Sequence, residues 1–279
     1  MNRKWYSAPY ALWSVIFIIA PLLMVLYYGF TVKAPGGGEM FSIQNFKKFF
    51  TYTYLLVFGR SVLYAAIGTL VCLILGYPAA MVLSSRGLKH KGILMLLIVI
   101  PMWMNLLLRT YAWLALLENE GLINQLLRFL RLLEPGEHIQ FLYGRGAVIF
   151  GIVYNFLPFM ILPIHSVMSK MDYSVIEAAE DLGADWWGVF KKVRFPLSVP
   201  GIISGITMVF VPAVTTFAIS SILSGNNVSL LGNVIEKQFG VGGDWYFGST
   251  MSLVLMVLIL FSLGFMSKYE KENEGGGLF

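Results

Sequence analysis

Residues 177–196 read EAAEDLGADWWGVFKKVRFP, a charged stretch set between two long apolar runs. Its acids have no catalytic company. Nowhere in the chain does a nucleophile stand beside a base, a His or Cys cluster take metal-ligand spacing, or a glycine-rich loop offer to cradle phosphate. What the segment can do is fold and dock. Ser174 followed by Glu177 has capping-box spacing and predicts a helix starting at the serine. Val175, Ala178, Ala179 and Leu182 then form one apolar stripe, with Glu180 and Asp181 off it. Gly183 suits a left-handed residue that ends this helix, and Asp185 suits the cap of a second one through Trp186, Trp187, Val189 and Phe190, stopped by Pro196. Two short helices joined at a glycine, with small alanines on the first, make a knob able to enter a groove on another protein. The alternative is an interfacial hairpin lying on lipid headgroups.

The elements that position this knob are membrane spans. With 57% hydrophobic and 13% charged residues, the chain carries about half the charge of a typical soluble domain. Charge-free runs of the length needed to cross hydrocarbon place six helices at about 9–31, 61–84, 92–117, 146–168, 199–223 and 246–267. The fifth is cut from a longer run by Ser224-Gly225-Asn226-Asn227. Lipid leaves no water for unpaired backbone groups, so the expected fold class is an all-α integral membrane protein. The first span is too long for a cleaved leader and reads as a retained anchor.

Arg86, Lys89 and Lys91 form one basic cluster, and Lys191, Lys192 and Arg194 a second. Both belong on the cytoplasmic side by the positive-inside rule, which puts both termini and the loop 172–196 there as well. The opposite side has two long loops, near Thr31 to Arg60 and Glu118 to Arg145; the apolar spacing over Gly121 to Leu133 predicts a helix along the membrane surface. Pro21, Pro78, Pro101, Pro158, Pro163 and Pro212 fall in or at the ends of spans, where each removes a helix hydrogen bond. Cys72, the one cysteine, lies mid-span and offers neither disulfide nor metal site. No basic run is dense enough for nucleic acid at a net charge of +5. Residues 270–279, with three consecutive glycines, read as a flexible tail.

The series Glu177-Ala178-Ala179, three residues, Gly183, nine residues, Val193, one residue, Phe195-Pro196 resembles the EAA signature of ATP-binding cassette importer permeases. The family pattern usually has isoleucine and leucine where this chain has Val193 and Phe195, both still apolar. The likeness covers nearly the whole chain and looks most like the permease subunit of spermidine/putrescine importers. Leu75-Gly76-Tyr77-Pro78, residues 101–111 (PMWMNLLLRTY), Phe156-Leu157-Pro158-Phe159-Met160, Gly232-Asn233-Val234-Ile235 and Asp244-Trp245-Tyr246-Phe247-Gly248 carry it. The resemblance implies that Glu177, Ala178, Ala179, Asp181, Leu182, Gly183 and Ala184 dock into a cytoplasmic ATPase subunit. It also implies a second homologous permease, two ATPase subunits holding ATP and Mg, an extracytoplasmic polyamine-binding protein, and a bacterial cytoplasmic membrane around the whole. This chain itself would bind no cofactor and hydrolyse nothing.

Polyamines are ammonium groups joined by methylene chains, so their path needs aromatic faces or oxygen acceptors in place of lost water. Trp103, Asn105, Tyr111 and Trp113 in the third span, with Tyr154 and Asn155 in the fourth, supply indole and phenol faces and amide oxygens. Membrane-interface or packing roles are the competing reading for each. Arg109 breaks the third span; a cation pathway would not want it, and pairing with Glu118, Glu120 or carbonyls is expected. A direct role for it would fit an anion, so an importer of the same type for an anion, iron or an amino-acid-like solute stays open. A secondary transporter would place ion-coupling residues inside the spans, where they are nearly absent.

Overall fold

The computed structural model describes residues 8–34, 36–87 and 89–275. In order these form α1 (Ala8–Ser14), α2 (Ala20–Gly29), β1 (Thr31–Lys33), β2 (Glu39–Phe41), α3 (Gln44–Phe49), α4 (Tyr52–Ser84), α5 (Lys91–Trp103), α6 (Leu106–Leu117), α7 (Leu122–Phe129), α8 (Arg145–Ser169), α9 (Tyr173–Asp181), α10 (Trp186–Val189), α11 (Phe195–Thr215), α12 (Ala218–Ser224), α13 (Leu231–Phe239) and α14 (Trp245–Gly275). The fold is all-α apart from the antiparallel pair β1–β2, in which Val32 lies opposite Met40. Among the described residues five helical stretches are long and apolar enough to cross a membrane: 12–29, 52–84, 145–169, 186–215 and 245–268. A sixth crossing requires counting α5 with the segment after it, and those two are bent by 98°.

The centre is a three-helix packing of α4, α8 and α11. Small residues let these backbones close together, as packing in lipid demands. A Cβ on Gly201 of α11 would stand 3.0 Å from the Cα of Ile164 and from the carbonyl oxygen of Pro163, and one on Gly68 of α4 would meet Ile152 at 2.5 Å. Cys72 is buried here, its Sγ 3.7 Å from the carbonyl oxygen of Val153. By contrast α2 packs chiefly on α14, where Thr250 Oγ1 donates to the Gly29 carbonyl over 2.9 Å.

The prolines inside α4 and α8 do not interrupt these helices, which run unbroken through Pro78 and through Pro158 and Pro163. Pro21 is different: just before it, the chain widens into a π turn over Val15–Ile19, as follows when a proline ring crowds the carbonyl four residues back. Among the described residues two spans break within one turn after a proline, Pro101 and Pro212, and an asparagine serves each break. After Trp103 the backbone turns extended at Met104, and Asn105 restarts the helix by accepting from the Leu107 N–H at 2.8 Å. The expected third span is therefore two helices.

The fifth span is likewise broken. Thr216 is extended between α11 and α12, and Asn233 of α13 reaches into the gap. Its Nδ2 donates to the Phe217 carbonyl at 2.9 Å, while its Oδ1 accepts from the Leu230 N–H and the Ser220 hydroxyl. Backbone freed inside a membrane protein is paired again by a neighbouring amide. Gly232 makes the approach possible, since a Cβ there would lie 2.6 Å from the Thr215 carbonyl oxygen. At the C-terminus α14 continues through Gly275, into the first residues of the segment expected as a tail. Residues 276–279 lie outside the described residues.

Candidate functional site

The segment after α8 folds into the two-helix knob. Asp172, not Ser174, is the first cap: its carboxylate accepts from the Ser174 N–H at 3.0 Å, so the expected capping box is corrected to a start one step earlier. The Ser174 amide and hydroxyl, with a smaller contribution from Arg86, hold the Asp172 carboxyl below the usual carboxylate range. α9 ends where Ala184 N–H donates to the Ala179 carbonyl and Gly183 N–H to the Glu180 carbonyl. Such an ending needs a left-handed residue, and Gly183 has φ +83°. Asp185 then caps α10 by accepting from the Gly188 N–H at 2.8 Å.

α9 buries one side chain, Ile176, toward the bundle. Most of the residues named for docking face away from it. Glu177, Ala178, Asp181, Leu182 and Gly183 are exposed, Ala179 and Ala184 are half-buried, and Leu182 is 90% exposed at the tip. Trp186 and Trp187, also exposed, stack on Phe190 with centroids 5.7 and 5.2 Å away. Pro196 does not stop the second helix: a π turn over Phe190–Arg194, just before the proline as at Pro21, carries it into α11.

The six aromatic and amide residues separate into two groups. Trp103, Asn105 and Tyr111 are exposed at the α5–α6 elbow, Trp103 at 85%. Trp113 instead packs edge-on against Phe150 and Tyr154, with centroids 4.7 and 5.0 Å apart. Asn155 is buried, donating to the Gly151 carbonyl at 2.9 Å while its Oδ1 has no partner. The elbow residues are exposed on the surface of the chain; Trp113, Tyr154 and Asn155 are packed within it.

The family described as binding-protein-dependent transport system inner membrane component matches residues 73–271. The chain belongs to this family. Among its relatives, the spermidine/putrescine transport system permease protein PotB of Haemophilus influenzae is 36% identical over 269 residues, covering 94% of this chain and 93% of that one. PotB of Escherichia coli is 35% identical, covering 88% and 90%. Of solved structures, a bacterial ABC transporter involved in import of the acidic polysaccharide alginate superimposes with TM-score 0.77 at 15% identity, over 95% of this chain and 96% of that one. The MetNI methionine ABC transporter gives 0.58 at 13% identity, over 78% and 95%. These two share the fold. The protein is thus a multi-pass ABC importer permease subunit of the inner membrane, a transport component.

In this permease Arg109 does not pair as expected. Tyr143 donates to Glu118 at 3.1 Å, and Glu120 is held by Arg128 at 2.7 Å. The elbow turns α6 so that Arg109 points into protein, 7% exposed, with Nε and Nη1 unpartnered. Asp244 caps α14, accepting from the Phe247 N–H, and lies 3.8 Å from Lys48. The sequence reading missed Tyr77. It sits in α4 beside Pro78, reaches Ser198 of α11, and packs its ring toward Phe190 and Phe195. Tyr77 stood inside one of the short matching stretches, but nothing in its spacing announced a partner 121 residues away.

Proposed function

We propose that this permease imports spermidine and putrescine across the bacterial cytoplasmic membrane, driven by ATP hydrolysis in partner subunits. The observation that carries this reading is the 36% identity to a permease named for these solutes, sustained over 94% of the chain. The exposed elbow of Trp103, Asn105 and Tyr111 supports it, since indole and phenol faces with an amide attract alkylammonium groups without holding them too tightly for release. Arg109, the residue that would have favoured an anion, is buried away from the exposed face.

The chain works with a second homologous permease, two ATPase subunits that bind ATP and Mg, and an extracytoplasmic polyamine-binding protein. Glu177, Ala178, Ala179, Asp181, Leu182, Gly183 and Ala184 seat the α9–α10 knob in an ATPase subunit, with both chain termini on that cytoplasmic side. ATP binding and release rock the knob, and α11, continuous with it, passes the motion into the bundle. The test is uptake of labelled spermidine and putrescine in cells lacking this chain, with and without a restoring copy. Loss and rescue is the expected result; equal uptake in all three strains would remove the polyamine assignment.

A further inference from the structure

Behind the knob, on the side of α9 that faces the bundle, lies a cavity of about 270 Å³ lined by residues from the ends of α4 and α8, from α9 and from the π turn before α11. Its lining is mixed. Met81, Met168, Met171 and Ile176 contribute apolar surface, and Arg86, Arg194 and the serines 84, 85 and 169 contribute polar groups. The serine protons are already committed to carbonyls of their own helices: Ser84 to Ala80, Ser85 to Val82 and Ser169 to Ser166. The donors left to the cavity are the two guanidinium groups. Arg86 rests over the Tyr173 ring at 4.2 Å, and the Nε of Arg194 is buried without an acceptor.

A buried guanidinium N–H with no acceptor is costly, so the Nε of Arg194, with the exposed Arg86 guanidinium lining the same cavity and no carboxylate in ion-pair contact, calls for an anion. Asp172, the nearest acid to act on Arg86, spends its carboxylate on the Ser174 N–H, and among the described residues neither arginine forms an ion pair. Among the charges of the neighbouring segments, Lys191 and Lys192 and the α9 acids Glu177, Glu180 and Asp181 are all exposed. We propose that the cavity binds a phosphate-bearing anion, and that this anion is the headgroup of an acidic phospholipid from the adjoining leaflet, bracing the knob against the bundle. The position of the arginines selects a lipid over a free ion: Arg86 follows the end of α4 and Arg194 precedes α11, at the ends of membrane-spanning helices, where headgroups lie. This inference does not depend on the identity of the transported solute.

The test uses the assembled transporter in nanodiscs of phosphatidylcholine, with or without phosphatidylglycerol, read by native mass spectrometry and by the melting temperature. Retained phosphatidylglycerol and a raised melting temperature are expected. Arg86→Gln and Arg194→Gln should each weaken retention about tenfold, the value of one charge-assisted hydrogen bond, with Arg194→Lys keeping most of it and Lys191→Gln, on the exposed surface, changing nothing. Inorganic phosphate added to phosphatidylcholine discs should not reproduce the shift; an equal shift would assign the site to free anions and overturn the lipid. Retention unchanged in both glutamine variants would overturn the site itself. So would loss of the ATPase subunits from Arg194→Gln with lipid retention intact, since the arginine would then serve a protein contact. Should Arg194→Gln fail to fold, Arg86→Gln carries the same test from an exposed position past the end of α4.

Discussion

The Tyr77 hydroxyl lies 3.0 Å from the Ser198 hydroxyl, a buried contact joining α4 to the first turns of α11. Ser198 gives its own proton to the Phe195 carbonyl at 2.8 Å, which leaves Tyr77 as the donor between them. The tyrosine ring meets Phe190 and Phe195 on either side of the π turn, with centroids 5.9 and 6.1 Å away. Any movement of the knob must therefore press on α4 through this side chain. Tyr77→Phe keeps the ring and removes the bond, and should cost about 1 kcal/mol of stability. Uptake per ATP hydrolysed should fall with it. Equal melting temperature and equal coupling ratio would show that the contact carries no load.

The docking reading concentrates on the tip of the knob. Glu177→Arg reverses an exposed charge, and Gly183→Leu forces a branched side chain into a left-handed backbone at φ +83°, at about 1–2 kcal/mol. Both variants should insert normally, lose the ATPase subunits on purification, and abolish uptake. Full uptake in either would remove the docking assignment.

The separation of the six aromatic and amide residues gives opposite expectations for its two halves. Trp103→Ala and Tyr111→Ala act at an exposed elbow and should change the KM or rate of uptake while leaving the melting temperature and ATPase-subunit binding intact. Trp113→Ala and Asn155→Ala remove packed side chains and should lower the melting temperature first. Kinetic effects from the second pair without loss of stability would put them in the path after all.

How much of this was readable in the sequence depends on the range of the interaction. The caps at Asp185, the glycine turn at Gly183 and the apolar helices are local, so spacing alone located them. The breaks in the third and fifth spans were not, because hydropathy is blind to a backbone turn inside an apolar run. Asn105 was a local signal for the first break, a helix-capping residue amid apolar neighbours, and was read for its amide chemistry instead. Asn233 was unreadable as the filler of the second, since its partners belong to residues up to 16 positions away. Arg109 was recognised as anomalous, yet its neighbours depend on a 98° bend that the sequence pattern concealed.

Asn233 offers the sharpest test of how that second break is held. Its side chain pairs with the Phe217 carbonyl, the Leu230 N–H and the Ser220 hydroxyl, and it is 3% exposed. Asn233→Ala leaves these groups in a buried, water-poor gap, while Asn233→Asp keeps the acceptor and loses only the donor to Phe217. The alanine variant should lose about 2–3 kcal/mol, in the range for stranding buried polar partners, and the aspartate variant should also be destabilised because a carboxylate would face the carbonyl. Thermal unfolding of the two variants beside the parent checks this order. A parent-like melting temperature for Asn233→Ala would mean that water enters the gap freely, and that the break between α11 and α12 is a solvated opening rather than a sealed joint.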